Sequence, residues 1–92
     1  MIVTLRQMQY ICAVAETQSF SKAAELCFAD QSTVSQQIKQ FEEKLNIKIF
    51  NRETIPLKVT AEGEEIINKC KSILTGVEEL IKPIKKDIYR FQ

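Results

Sequence analysis

The sequence predicts a mainly α-helical fold: three short helices, a small β-hairpin, and then one long helix. Three observations predict it. Apolar residues recur at spacings of three and four along most of the 92 residues, the period of a helix with one buried face. One brief stretch within residues 47–59 is instead β-rich and surrounds a proline. Only two Gly and two Pro are present, so few positions interrupt the helical pattern.

The first helix is expected from about Thr4 to Glu16, with Leu5, Met8, Ile11, Cys12 and Ala15 as one apolar stripe. Thr4 is a suitable N-cap, and Gln7, three residues on, completes a modest capping box. Thr17 and Gln18 form a polar break. Ser19 then caps a short second helix, in which Phe20, Ala23, Ala24 and Cys27 fall at i, i+3, i+4 and i+7. The small side chains of Ala23 and Ala24 let a neighbouring helix approach closely.

After Phe28 and Ala29, Asp30 is the expected N-cap of a third helix, from about Gln31 to Leu45. Its apolar positions are Val34, Ile38, Phe41 and Leu45, and Asn46 suits the left-handed residue that ends a helix. Ile47 to Phe50 and Leu57 to Val59 then flank a turn holding Pro56, and together read as a hairpin.

Thr60 opens the fourth helix, with Gly63 completing the cap and Glu62, Glu64 and Glu65 favourable at the positive end of its dipole. Ile67, Cys70, Leu74, Val77, Ile81, Ile84, Ile88 and Phe91 alternate spacings of three and four, a heptad seam widened by Ile66, Ile73 and Leu80. A small head cannot cover so long a stripe, so a second copy of the chain is the expected partner, with Ile67, Cys70, Leu74, Val77 and Ile81 at the contact. Pro83 costs a helix interior about 3 kcal/mol, so the helix is expected to run unbroken to about Lys82 and then kink or stop. The chain accordingly divides into a head, residues 1–60, and a dimerising linker helix, residues 61–92.

Composition narrows the function classes. There is no charged-then-apolar leader and no apolar run near 18 residues, which leads to the expectation of a cytoplasmic chain with no membrane partner. Cys12, Cys27 and Cys70 are odd in number, lack metal-ligand spacing, and occur in a chain with no His; neither a disulfide framework nor a metal site is expected. They are expected to act as small buried hydrophobes. With no Cys-x-x-Cys and no acid–base partner, no catalytic site assembles, and neither enzyme activity nor a cofactor is expected. Net charge is only +1, with seven basic and six acidic residues up to Thr60 and six of each beyond it. Bulk charge therefore does not point to nucleic acid; placement must.

Placement points there through the third helix. Two short helices joined by a turn of three or four residues form a helix-turn-helix, whose second helix can enter a major groove. Val34 and Ile38 anchor that helix, leaving Gln31, Ser32, Ser35, Gln36 and Lys39 to face outward. Gln and Ser exchange hydrogen bonds with base edges, and Lys39, Lys48, Arg52 and Lys58 are placed to neutralise phosphates along groove and wing. Glu42, Glu43 and Lys44, near the far end, read as a solvated face, as do Lys69, Lys71, Lys85 and Lys86 on the long helix.

The run Leu5-Arg6-Gln7-Met8-Gln9-Tyr10, then Ala13 to Glu16, Ser19-Phe20, Ala23-Ala24, Gln31 to Gln37, Phe50-x-Arg52 and Thr60-Ala61-Glu62-Gly63 together resemble the amino-terminal region of LysR-type transcriptional regulators. The resemblance covers about residues 2–82. It implies a winged helix-turn-helix with a pairing linker helix, binding double-stranded promoter DNA as a homodimer that becomes a tetramer in the full-length protein. By position it implies groove contacts from Gln31, Ser32, Ser35 and Gln36 with Thr33 and Lys39 close by, and wing or backbone contacts from Arg52 and Lys58. It also implies a large carboxy-terminal effector-binding domain, outside these residues, which would hold the inducer site.

Three positions depart from the family's usual pattern. Ser32 stands where Pro is usual, Gln36 where Arg is frequent, and Ile55 where the wing commonly carries Arg. The alternative to a DNA-reading head is an interaction module, in which the heptad helix pairs and the head docks protein without duplex affinity.

Overall fold

A computed structural model of the chain describes residues 2–90, with side chains described as far as Lys82. The elements follow in the order α1 (Leu5–Thr17), α2 (Phe20–Leu26), α3 (Gln31–Leu45), β1 (Phe50–Asn51), β2 (Lys58–Val59) and α4 (Ala61–Arg90). The two strands pair antiparallel, Phe50 opposite Val59 and Asn51 opposite Lys58. This is the winged helix-turn-helix architecture with a long trailing helix.

Local chemistry sets most boundaries. The Thr4 hydroxyl accepts from the Gln7 amide at 3.1 Å, and Gln7 Oε1 accepts from the Thr4 amide at 2.9 Å, a full capping box. Ser19 caps α2 through the Lys22 amide at 3.1 Å. Gln18 and Asn46 end α1 and α3 in the left-handed conformation. Thr60 Oγ1 accepts from the Gly63 amide at 2.9 Å and starts α4. Asp30 behaves differently: its backbone sits at the N-cap of α3, but its carboxylate makes no cap hydrogen bond.

The core gathers on α1, which packs against α2, α3 and α4. Ile11, Val14, Val34, Ile38, Ile49 and Phe50 are its largest fully buried side chains. Being surrounded on three sides, α1 buries more than a single stripe: Tyr10, Ala13 and Val14 are inside, while Leu5 lies at the exposed edge and Cys12 and Ala15 are half-buried. Ala23 and Ala24 are buried at the close α2 crossing.

Two expectations change. The hairpin is shorter than its apolar runs suggest, because residues 47–49 find no strand partner. The Glu42 carboxylate accepts the Ile49 amide at 2.7 Å and the Phe50 amide at 3.3 Å, and Thr60 donates to the Ile49 carbonyl at 2.9 Å. The backbone groups a strand would use are thereby satisfied from α3 and the start of α4. The second change is that α4 continues past Pro83. Pro83 removes one hydrogen bond, to the carbonyl of Glu79, on an exposed stretch where water can serve that carbonyl. The side chains of Ile84, Ile88 and Phe91 lie outside the described residues.

The α4 seam splits into two stripes. At 100° per residue, Gly63, Ile67, Cys70 and Leu74 share one line, and Ile66, Ile73, Val77 and Leu80 share another, about 80° away. The first line packs into the head: Ile67 is 5% and Cys70 3% exposed, and Leu74 is partly buried against the core. Ile67 and Cys70, expected at a partner's surface, instead close this chain's own core, because α1 needs cover on the side that α2 and α3 leave open. Along the second line Ile73 and Leu80 are 44% and 68% exposed, and Ile81, just beyond the head, is exposed as well.

Candidate nucleic-acid interface

The front of α3 is built by opposition. Val34, Ile38 and Phe41 lock one side into the core, so the other side is held rigid against the body. Gln31, Ser32, Thr33, Gln36 and Lys39 are exposed there, with Ser35 half-buried. Helical rotation puts Ser32, Gln36 and Lys39 along the centre of that face, Ser35 and Glu42 on the flank toward the wing, and Gln37 on the flank toward α1. Gln37 takes a hydrogen bond from the buried Gln7 at 3.2 Å, which ties the α3 flank to the α1 cap.

The α2–α3 turn is equally defined. The Phe28 amide donates to the Glu25 carbonyl at 3.3 Å and the Ala29 amide to the Ala24 carbonyl at 2.9 Å, the paired bonds of a Schellman ending. Phe28 occupies the left-handed position, with φ 54°, where Gly is the usual residue, and its ring is almost fully exposed. Asp30 follows with an unengaged carboxylate, so α3 presents a free anion beside its first amides.

Arg52 is the least expected feature. It lies just beyond β1, and its guanidinium, though partly exposed, has several partners within the chain. Nη1 donates to Ser35 Oγ at 2.6 Å and Nη2 to the Ser35 carbonyl at 3.3 Å. Nη2 also lies 3.5 Å from a Glu42 carboxylate oxygen, and the guanidinium carbon sits 4.6 Å from the Phe20 ring centroid. Phe20 in turn meets Phe50 edge-on at 6.0 Å. Arg52, expected as a phosphate-neutralising residue, therefore also ties the wing to α2 and α3. Glu42 likewise is no solvated residue; one carboxylate holds two backbone amides and a guanidinium. Glu42 and Arg52 are ten positions apart in sequence, and nothing in the sequence pairs them.

The free cations near the face are Lys39, Lys48 and Lys58, all exposed; Arg52–Glu42 is the one ion pair among the described residues. Lys39 and Lys48 line an open depression together with Glu42, Glu43 and Glu62, so the local field there is mixed rather than strongly positive. Ile55 stands almost fully exposed at the wing tip, an apolar rather than a charged end.

Outside this face, the cysteines show no activation. Burial pushes the thiols of Cys12, Cys27 and Cys70 above their ordinary value, Cys70 up to about 11. A reactive thiol needs the opposite shift. Among the described residues no group of three or more His, Cys, Asp or Glu side chains is placed to hold a metal, and no helix is long and apolar enough to cross a membrane.

Comparison with known proteins places this geometry. A family profile described as "Bacterial regulatory helix-turn-helix protein, lysR family" matches residues 5–64. The HTH-type transcriptional regulator BenM of Acinetobacter baylyi is 39% identical over 83 residues, covering 89% of this chain and 27% of BenM. The HTH-type transcriptional regulator AlsR of Bacillus subtilis is 38% identical over 78 residues, 85% of this chain and 26% of AlsR. The chain thus spans about a quarter of the length of the curated relatives it matches. Among solved structures, a BenM_DBD/catB site 1 DNA complex superposes with a TM-score of 0.88 at 32% identity, covering 98% of this chain and 97% of that one.

Proposed function

This chain belongs to the lysR family of bacterial regulatory helix-turn-helix proteins, and from that premise we propose that it is the sequence-specific DNA-binding and dimerising part of a LysR-type transcriptional regulator. In this reading residues 1–60 are the DNA-binding head and 61–92 the dimerising part, built on α4. The single observation that carries the reading is the rigid polar face of α3. Ser32, Gln36 and Lys39 lie in a row, with Gln31, Thr33 and Ser35 beside them, on a helix whose opposite side is fully buried. Such a face meets what the major groove requires: short side chains that exchange hydrogen bonds with base edges, fixed to a body that cannot yield. The solved BenM_DBD complexes with catB and benA site DNA support it by likeness.

Pairing follows from the second α4 stripe. Ile73, Val77, Leu80 and Ile81 are the side chains left for a partner helix once Ile67, Cys70 and Leu74 are spent on the head. An effector ligand belongs to the part of the regulator outside this chain.

The test is fluorescence anisotropy of the chain on the duplex upstream of its own gene and on random duplex, across a salt series. With Lys39, Lys48 and Lys58 as the free cations, each head should give a slope of log K against log salt of about −3, doubled for a pair. Tighter binding to the upstream duplex than to random sequence is the expected result. No binding to either duplex, with the dimer intact in ultracentrifugation, overturns the reading in favour of a protein-docking module.

A further inference from the structure

We infer that Arg52 is a positioning residue for sequence reading: it fixes the Ser35 hydroxyl as a hydrogen-bond donor toward the duplex, so that Ser35 selects a base presenting an acceptor in the major groove. The inference rests on the DNA-binding function proposed above and adds to it the chemical class of one contact.

A serine hydroxyl carries one donor hydrogen and two acceptor lone pairs, and a free one serves either role. At Ser35 that freedom is narrowed. Arg52 Nη1 approaches Oγ at 2.6 Å, and a guanidinium has donors only and does not lose its proton. The bond therefore runs in one direction, and Oγ is committed as its acceptor. The second donor, on the Ser35 carbonyl at 3.3 Å, fixes the approach of the fork. Glu42 at 3.5 Å and the Phe20 face at 4.6 Å hold the guanidinium from two further sides.

What remains for a ligand is the hydroxyl hydrogen, which bonds to no group among the described residues, and one lone pair; because Oγ already accepts from a cation, its hydrogen is the stronger donor and that lone pair the weaker acceptor, so donation is favoured. In the major groove a donor is met by guanine N7 and O6, adenine N7 or thymine O4, and is refused by the amino groups of cytosine and adenine. Ser35 lies one turn beyond Gln31 and Ser32, on the half of α3 that enters first. Because Glu42 offsets the charge of Arg52, the pair offers a phosphate little attraction; a base edge is the better match.

The experiment selects preferred sites from a random duplex library with the wild-type chain, Ser35→Ala, Arg52→Met and the double variant. Arg52→Met keeps an apolar stem on Phe20 and lacks every donor. Ser35→Ala and Arg52→Met are expected to lose discrimination at the same base pair, by about 5- to 150-fold, with other positions unchanged. The double variant should lose no more than either alone, and the salt slope of Arg52→Met should stay at the wild-type value. Replacing the purine at that pair by its 7-deaza analogue, or thymine by a pyrimidinone lacking O4, should weaken the wild type and leave Ser35→Ala indifferent.

A uniform loss on all duplexes in Arg52→Met, with a salt slope shallower by about one, overturns the inference and makes Arg52 a phosphate contact. Unchanged base preference in that variant overturns it too. If circular dichroism shows Arg52→Met unfolded, the analogue duplexes decide: wild-type binding insensitive to loss of the acceptor overturns the assignment. A wild-type chain with no salt-sensitive duplex binding removes the proposed function and the inference together, whereas the other negative outcomes remove the inference alone.

Discussion

Gly63 and Gly76 lie on the same helix, and replacing each by Ala should change stability in opposite directions. A Cβ on Gly63 would sit 2.4 Å from the Ile49 carbonyl oxygen, 2.8 Å from its Cα and 3.0 Å from its carbonyl carbon. Ordinary contact begins near 3.4 Å, so the backbone at Ile49 would have to retreat by about 1 Å. It is poorly free to do so: the Thr60 amide holds its carbonyl and Glu42 holds its amide. Overpacking of this kind costs about 1–3 kcal/mol. The helical preference of Ala over Gly returns about 0.5–1 kcal/mol. With Ile49 pinned at both its amide and its carbonyl, the cost should fall in the upper half of that range, so Gly63→Ala should lose about 1–2.5 kcal/mol, or roughly 4–20 °C in Tm for a domain of this size.

At Gly76 a Cβ meets nothing within 4 Å, so only the propensity gain of about 0.5–1 kcal/mol remains. Both variants should be compared with wild type by thermal and urea unfolding in circular dichroism at one fixed protomer concentration, because pairing makes Tm depend on concentration. Gly63→Ala as stable as wild type, or Gly76→Ala less stable, would refute the packing argument.

Three further outcomes are expected. Because burial pushes the Cys70 thiol up to about 11 from its ordinary 9.0, the folded state binds its proton more tightly. That contribution is fully present below pH 9 and is lost as pH rises through 11; urea unfolding along a pH series should show the decline, largely flattened in Cys70→Ala. Ser19→Ala should cost about 1 kcal/mol as a lost cap, whereas Asp30→Ala should cost well under that because its carboxylate makes no cap bond; equal losses in thermal unfolding would contradict the contrast. Leu80→Asp should leave the monomer's helicity intact and shift sedimentation toward monomer, while Ile67→Asp should unfold the head itself; a dimer unaffected by Leu80→Asp would place the partner on another face.

Regular periodicity made the helices legible. Val34, Ile38 and Phe41 recur on one side of α3, and the structure buries all three. The caps at Thr4, Ser19 and Thr60 were legible because each depends on residues three apart. What the sequence did not reveal depends on residues distant in the chain. A heptad count cannot tell which stripe of α4 is already covered, since that depends on where α1 ends up beneath it. Nor can residue type alone distinguish a solvated Glu42 from one that holds two amides and Arg52, which become neighbours only once the wing has folded back. The exposed positions of the candidate face, Gln31, Ser32, Thr33, Gln36 and Lys39, were legible because they are what the core pattern leaves over. Arg52 was recognised as important, but its partners were not.

Because the first three turns of α4 are embedded among the core side chains, the head and the long helix meet without a joint. Thr60 is the only residue between β2 and that helix, and its side chain is itself bonded at both ends, to the Lys48 carbonyl and to the Gly63 amide. The helix is therefore a rod set in the head, and from Ala61 to Lys82 it is roughly 33 Å long. Displacing its far end sideways by about 3 Å tilts the whole head by about 5°, with no loose segment to absorb the turn. Mechanically, the α3 face and the rod are parts of one lever, so a push at one end turns the other.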